Sequence, residues 1–195
     1  MKKMTAMAMT LVLVLSLFAG CGKTEPAETT PAETPAQQLP ASALEILETV
    51  WASYADDEKF AVVGGNIEAN IMDAPGNYDM AYAENMTWNL LVPEAQIANI
   101  TEAASMIHMM NANTFTCGVF KLADGVTAAD FGAAMKDAVL NNQWMCGFPE
   151  TLLIRNFGDT YVLVAFGIND AMNPFEAHLS AAYPGMETIA SEPIA

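Results

Sequence analysis

Met106, His108, Met109, Met110, Cys117, Met145 and Cys146 crowd into two short stretches of the chain. Thioether and thiolate sulfur beside an imidazole is the soft ligand chemistry that suits Cu(I). Methionine also fills irregular cores, and the two stretches contain no regular Met-x-x-Met array, so packing is the default reading of the same residues. A second chemistry pairs His108 with Cys117 or Cys146 as an envelope enzyme's imidazole and thiol. Neither thiol, however, lies next to basic residues that would lower its pKa. His108 and His178 are the only histidines, and HExxH, Gly-x-Ser-x-Gly and Ser-x-x-Lys are all missing, which disfavours a metalloprotease, an α/β-hydrolase and a penicillin-recognising enzyme. The sequence therefore assigns no catalytic residue, no metal site and no cofactor.

Cys117 and Cys146 allow another use. In an oxidising compartment they could form a disulfide closing a loop of about 30 residues, stabilising by roughly 3–4 kcal/mol; the alternative is that Cys117 is a small buried hydrophobe in a strand. Binding chemistry concentrates nearby. Trp144 and Phe148 fall on a connection between a helix and a strand, where loops held by a rigid scaffold carry recognition. The competing reading has both rings plugging an end of the core. Asn111 and Asn113 flank Ala112 in a turn that favours residues tolerant of positive φ, and they serve the turn first and a ligand second.

These residues need a frame. Ser42-Ala43-Leu44-Glu45 has capping-box spacing, and Leu44, Leu47, Val50, Trp51 and Tyr54 form one apolar face of the helix that follows. Residues 60–92 carry little periodicity: Phe60–Val63 suits a short strand closed by Gly64-Gly65, and Ala74-Pro75-Gly76-Asn77 reads as a turn. Residues 104–110 and 114–122 read as strands, although a helix running from Glu94 through Met110 is an alternative for the first. Thr127 caps a helix with Phe131, Met135 and Ala138 on one stripe; residues 151–155 and 160–167 form a hairpin across Gly158-Asp159. Asn173-Pro174-Phe175-Glu176 reads as the start of a last helix, stopped by Pro184-Gly185.

Strand, strand, helix thus occurs twice, with Thr114–Phe120 matching Thr160–Phe166. The expected fold is α+β: an antiparallel sheet of about four strands in ββαββα order, a weak internal duplication, with two helices on one face and an N-terminal helix covering an edge or end.

Placement comes from the N-terminus. Lys2 and Lys3 lead an apolar run over residues 4–18, too short for the roughly 20 residues of a membrane span, and the run ends in Ala19-Gly20-Cys21. A small-residue pair before cysteine resembles the lipobox of bacterial lipoproteins, with Phe18 where Leu is usual. That resemblance implies cleavage after residue 20 and acylation of Cys21. Residues 1–20 are then a lipoprotein signal peptide, residues 21–42 a Pro/Thr/Glu-rich spacer, and residues 43–195 a single domain. In polyproline form, at about 3.1 Å per residue, the spacer could reach roughly 60 Å.

The mature chain would carry five basic residues against 23 acidic ones, a net charge of −18. Such a surface repels phosphate backbones, so nucleic acid is not an expected partner.

Taken together, the lipobox, the spacer, the block Met106–Phe115 and the block Gln143–Pro149 make the chain similar to small uncharacterised lipoproteins of Gram-positive gut anaerobes. The resemblance implies a cell-membrane protein held by palmitate-type lipid on Cys21 and facing outside, and it carries no activity. The functional expectation is a lipid-anchored extracytoplasmic binding or interaction protein whose ligand the sequence does not name. The alternative is an envelope enzyme or copper-handling protein using His108 with Cys117 or Cys146.

Overall fold

The computed structural model describes residues 39–194. The signal peptide expected over residues 1–20, the lipidation site Cys21 and most of the expected spacer lie outside the described residues.

The sheet is larger than the sequence pattern suggests. Its strands are β1 (Val62–Gly64), β2 (Ile71–Met72), β3 (Gly76–Tyr78), β4 (Ile100–His108), β5 (Phe115–Leu122), β6 (Thr151–Phe157), β7 (Tyr161–Gly167) and β8 (Glu187–Pro193). They form one eight-stranded sheet in the order β2-β1-β4-β5-β7-β6-β8, with β3 also on β4 and every pairing antiparallel. The four strands expected from the pattern are β4 to β7, at its centre. The expected count is corrected by β1, β2 and β3 on one side and β8 on the other.

β1 and β3 together act as one interrupted strand. β1 pairs Val62 with His108 and Val63 with Ile107, and β3 takes up the same edge of β4 from Ser105 to Ala103. Residues 65–75 loop out between them and return. The two ends meet so closely that a Cβ on Gly64 would lie 2.1 Å from the Gly76 nitrogen, which only glycine allows. Gly76-Asn77 is therefore strand where the sequence suggested a turn.

Four α-helices, α1 (Ala43–Ala52), α2 (Met86–Asn89), α3 (Ala128–Leu140) and α4 (Asn169–Ala182), join this sheet. They cover both faces. On one, Ile46, Leu47 and Val50 of α1 and Phe175 and Leu179 of α4 pack on Met106, Phe115, Cys117, Val119, Leu153, Leu163 and Ala165. On the other, Phe131, Met135 and Val139 of α3, with Met86, Leu90 and Val92, pack on Phe120, Leu152, Ile154, Val162, Val164 and Phe166. Alternate residues of β6 and β7 thus feed opposite cores, which makes these strands apolar along their whole length.

The expectation of two helices on one face is accordingly corrected: α3 and α4 lie on opposite sides. In the strands matched by the sequence pattern, Gly118 pairs with Val164 at the centre of β5 and β7, and Phe115 and Tyr161 share a face. The difference arises in the connections. Residues 123–127 carry the chain from β5 to α3, whereas Ile168 alone joins β7 to α4 and sends that helix back over the opposite face.

Local caps explain the helix starts. Ser42 Oγ accepts from the Glu45 amide at 3.1 Å, and Thr127 Oγ1 from the Asp130 amide at 3.1 Å. α4 begins at Asn169, not at Asn173, because the Glu150 carboxylate accepts from the Asn169 amide at 2.7 Å and supplies the missing anion. Pro174 then falls inside the helix and deprives the Asp170 carbonyl of its helical donor. The helix considered from Glu94 through Met110 is a 3-10 turn over Glu94–Asn99 followed by β4. Arg155 of β6 reaches Glu176 of α4 at 2.8 Å, and Lys136 of α3 pairs with Glu192 of β8.

Candidate binding site

The two stretches rich in sulfur and aromatic residues meet at one end of the sheet. β4 ends at His108, and the turn into β5 carries Asn111 and Asn113. Asn111 Oδ1 accepts from the Asn113 amide at 3.0 Å, an Asx turn that fixes the corner. Its Nδ2 donates to the Cys146 carbonyl at 2.9 Å. Asn113 Nδ2 donates to the carbonyls of Met145 and Gly147 at 2.8 and 2.9 Å. Cys146 and Gly147 both adopt positive φ, 61° and 124°, and these bonds hold the backbone there. The asparagines thus clamp the 145–147 loop to the β4–β5 turn.

His108 serves the same turn. Its Nδ1 accepts from the amides of Met110 and Asn111, both at 3.3 Å, and its ring stacks on Phe60 at 5.7 Å. Its imidazole is held in the acceptor tautomer at that nitrogen. The expected pair Trp144 and Phe148 separates: Trp144 packs on Phe166 at 5.4 Å, while Phe148 stands 70 % exposed, and Met110 and Met145 are exposed too.

Trp144 also forms one wall of a groove of about 320 Å³. Trp88, which is 84 % exposed, lines it too, together with Asn113, Thr116 and Phe166. Trp88 also borders a second groove of about 560 Å³ that runs past Glu84, Pro93 and Glu94. Leu91 lines both grooves with φ at 56°, a conformation costly for a bulky residue and held by its surroundings. The sequence pattern missed Trp88 because residues 78–97 have no clear periodicity. The one signal was a tryptophan in a stretch that no apolar stripe claims.

The thiols lie in different settings. Both are free, Cys117 buried under α1 and α4 and Cys146 exposed in the clamped loop. Burial pushes the Cys117 thiol well up, away from the thiolate that nucleophilic or metal chemistry needs. Among the described residues, no group of three or more His, Cys, Asp or Glu side chains is placed to hold a metal ion.

One further constellation went unread in the sequence. Ser53 Oγ lies 2.8 Å from His178 Nδ1, and His178 Nε2 lies 3.6 Å from the Glu58 carboxylate. The residue types are those of a hydrolase triad, but the Ser53 hydroxyl gives its proton to the Val50 carbonyl at 2.6 Å. It therefore accepts from the imidazole, the reverse of what an activated nucleophile requires. The link closes the C-terminus of α1 and ties it to α4, with Tyr54 stacked on His178 at 4.1 Å.

In comparisons with known proteins, the chain matches no protein-family model, no curated protein and no solved structure.

Proposed function

We propose that this chain is a lipid-anchored binding protein of the cell surface, tethered through Cys21, with the groove between Trp88 and Trp144 as its ligand site. One observation carries the reading of the site: a large aromatic ring stands exposed at a groove whose Trp144 precedes a loop clamped by two asparagines. Exposed tryptophan on a fixed support offers large contact area with little conformational entropy to lose.

The anchor is supported by the leader pattern and the acylatable Cys21. Two acyl chains hold a protein at a membrane stably where one does not. Among the described residues no helix is long and apolar enough to cross a membrane. The geometry suits a tether. The Ala43 amide donates to Glu102 near the start of β4, at 2.7 Å, and the groove residue Thr116 pairs with Ile107 toward the other end of that strand. At about 3.3 Å per strand residue, roughly 17 Å of strand separate the two positions.

Fractionation of cells fed radioactive palmitate tests the anchor. The parent protein is expected in the membrane and labelled, and the Cys21→Ala protein unlabelled and slow to be processed. Equal labelling and retention of the two proteins would overturn the placement.

A further inference from the structure

The chemistry of the groove narrows its ligand. The chain is acidic throughout, at a formal net charge of −16, yet none of the side chains lining this groove is charged. Its polar groups are amides, hydroxyls and an indole. A charged ligand would find no counter-ion there, and would lose hydration without compensation.

Several of these polar groups are unspent. The Trp144 indole Nε1–H is buried with no hydrogen-bond partner, a state that native structures seldom leave unused. Among the described residues the Asn142 side chain makes no hydrogen bond, offering two N–H donors and a carbonyl. Asn113 and Asn89 spend their amide N–H groups on the 145–147 carbonyls and on Tyr78 Oη, which leaves their side-chain carbonyl oxygens as acceptors. The lining therefore offers both donors and acceptors, and Trp88 adds a large exposed ring.

A pyranose ring has this complement: one face of C–H bonds that lies against an indole, and an edge of hydroxyls that both donate and accept. We infer that the groove lined by Trp88 and Trp144 binds a neutral carbohydrate, with Trp88 stacking on a sugar ring and Asn142 and Asn113 reading its hydroxyls. The assignment rests on the groove being the ligand site. A volume of about 320 Å³ lies at the low end of small-molecule clefts, about 300–1,000 Å³, and suits a short stretch of an oligosaccharide.

The test uses the full mature chain in lipid nanodiscs. It is titrated with neutral hexasaccharides of glucose, mannose, galactose, xylose and N-acetylglucosamine, followed by calorimetry and tryptophan emission. At least one hexasaccharide is expected to bind with Kd of about 1 mM or tighter. Trp88→Ala is expected to weaken that binding at least about tenfold, and Asn142→Ala about threefold, with both variants keeping the parent's near-UV dichroism. Silence of every hexasaccharide up to about 10 mM, or binding indifferent to Trp88→Ala, overturns the carbohydrate assignment. A parallel titration with uncharged aromatic-rich peptides separates the two levels. Peptide binding that needs Trp88, without sugar binding, removes the carbohydrate and keeps the groove as the ligand site. Silence of both probes removes both.

Discussion

The two faces of the sheet are closed by different means. On the α1/α4 face two regular helices meet over a run of aromatic contacts, in which Phe115 touches Phe175 at 5.0 Å and Phe60 touches Phe115 at 5.3 Å. On the other face α3 covers β6 to β8, and the rest of the cover is the irregular stretch over residues 78–97, with short turns, a strained Leu91 and an exposed Trp88. The grooves at Trp88 occur on the second face only. Periodic helices close a core completely, because their apolar stripe matches the sheet; irregular backbone leaves gaps, and a gap with a rigid wall is what a ligand needs.

The contrast can be broken first on the regular face, where the effect is largest. Phe175 is fully buried in the aromatic run. Phe175→Ala is expected to cost about 3–5 kcal/mol in urea unfolding of the domain, since the close-packed face cannot collapse onto the space left. A loss below about 1 kcal/mol would mean this face is looser than its contacts imply.

Next comes the seam where β1 yields to β3. Gly64→Ala puts a methyl group 2.1 Å from the Gly76 nitrogen and 2.3 Å from the Pro75 carbonyl carbon, both backbone. A loss of about 1–3 kcal/mol is expected. It should appear in hydrogen exchange as early opening of β1 and β3, with β5 and β7 unaffected.

The clamp ranks third. Asn113→Ala removes the donors to the Met145 and Gly147 carbonyls, at about 1 kcal/mol per net hydrogen bond. Faster exchange and proteolysis confined to residues 143–149 are the expected readout. Unchanged protection there would show that the positive-φ loop holds itself.

The same contrast governs what could be read in advance. β4 to β7 and α3 were legible, because Thr127 caps α3 and the strands form long apolar runs. That these runs are continuous, Leu152-Leu153-Ile154 and Tyr161 to Phe166, was also the sign that both faces are covered, and it argues against helices on a single side. The start of α4 was misplaced for a physical reason: Asn173-Pro174 carries a strong local N-cap signal, but Glu150, distant in sequence, caps the helix at Asn169 instead. β8 and residues 65–78 were illegible, although Phe60–Val63 did mark β1; the order beyond β1 comes from distant bonds such as Ser105 Oγ accepting from the Gly65 amide at 3.0 Å and Asn66 Oδ1 from the Asp79 amide at 3.1 Å. Asn113 and Trp144, close in the sequence reading, line one groove, and Trp88 joins them only through the fold.

The smallest expected effect on stability is also the sharpest separation of the two faces. Trp88 is as large as any side chain in the core, yet at 84 % exposed it buries little, so Trp88→Ala is expected to move the unfolding free energy by no more than about 0.5 kcal/mol. A buried aromatic removed from the opposite face costs several times that. If the irregular cover were held together by Trp88, the variant would instead lose more than about 1 kcal/mol and expose residues 78–97 to proteolysis. A protein that keeps its stability and loses its ligand response places Trp88 in recognition, because a ring that buries so little leaves no structural route by which its removal could abolish binding.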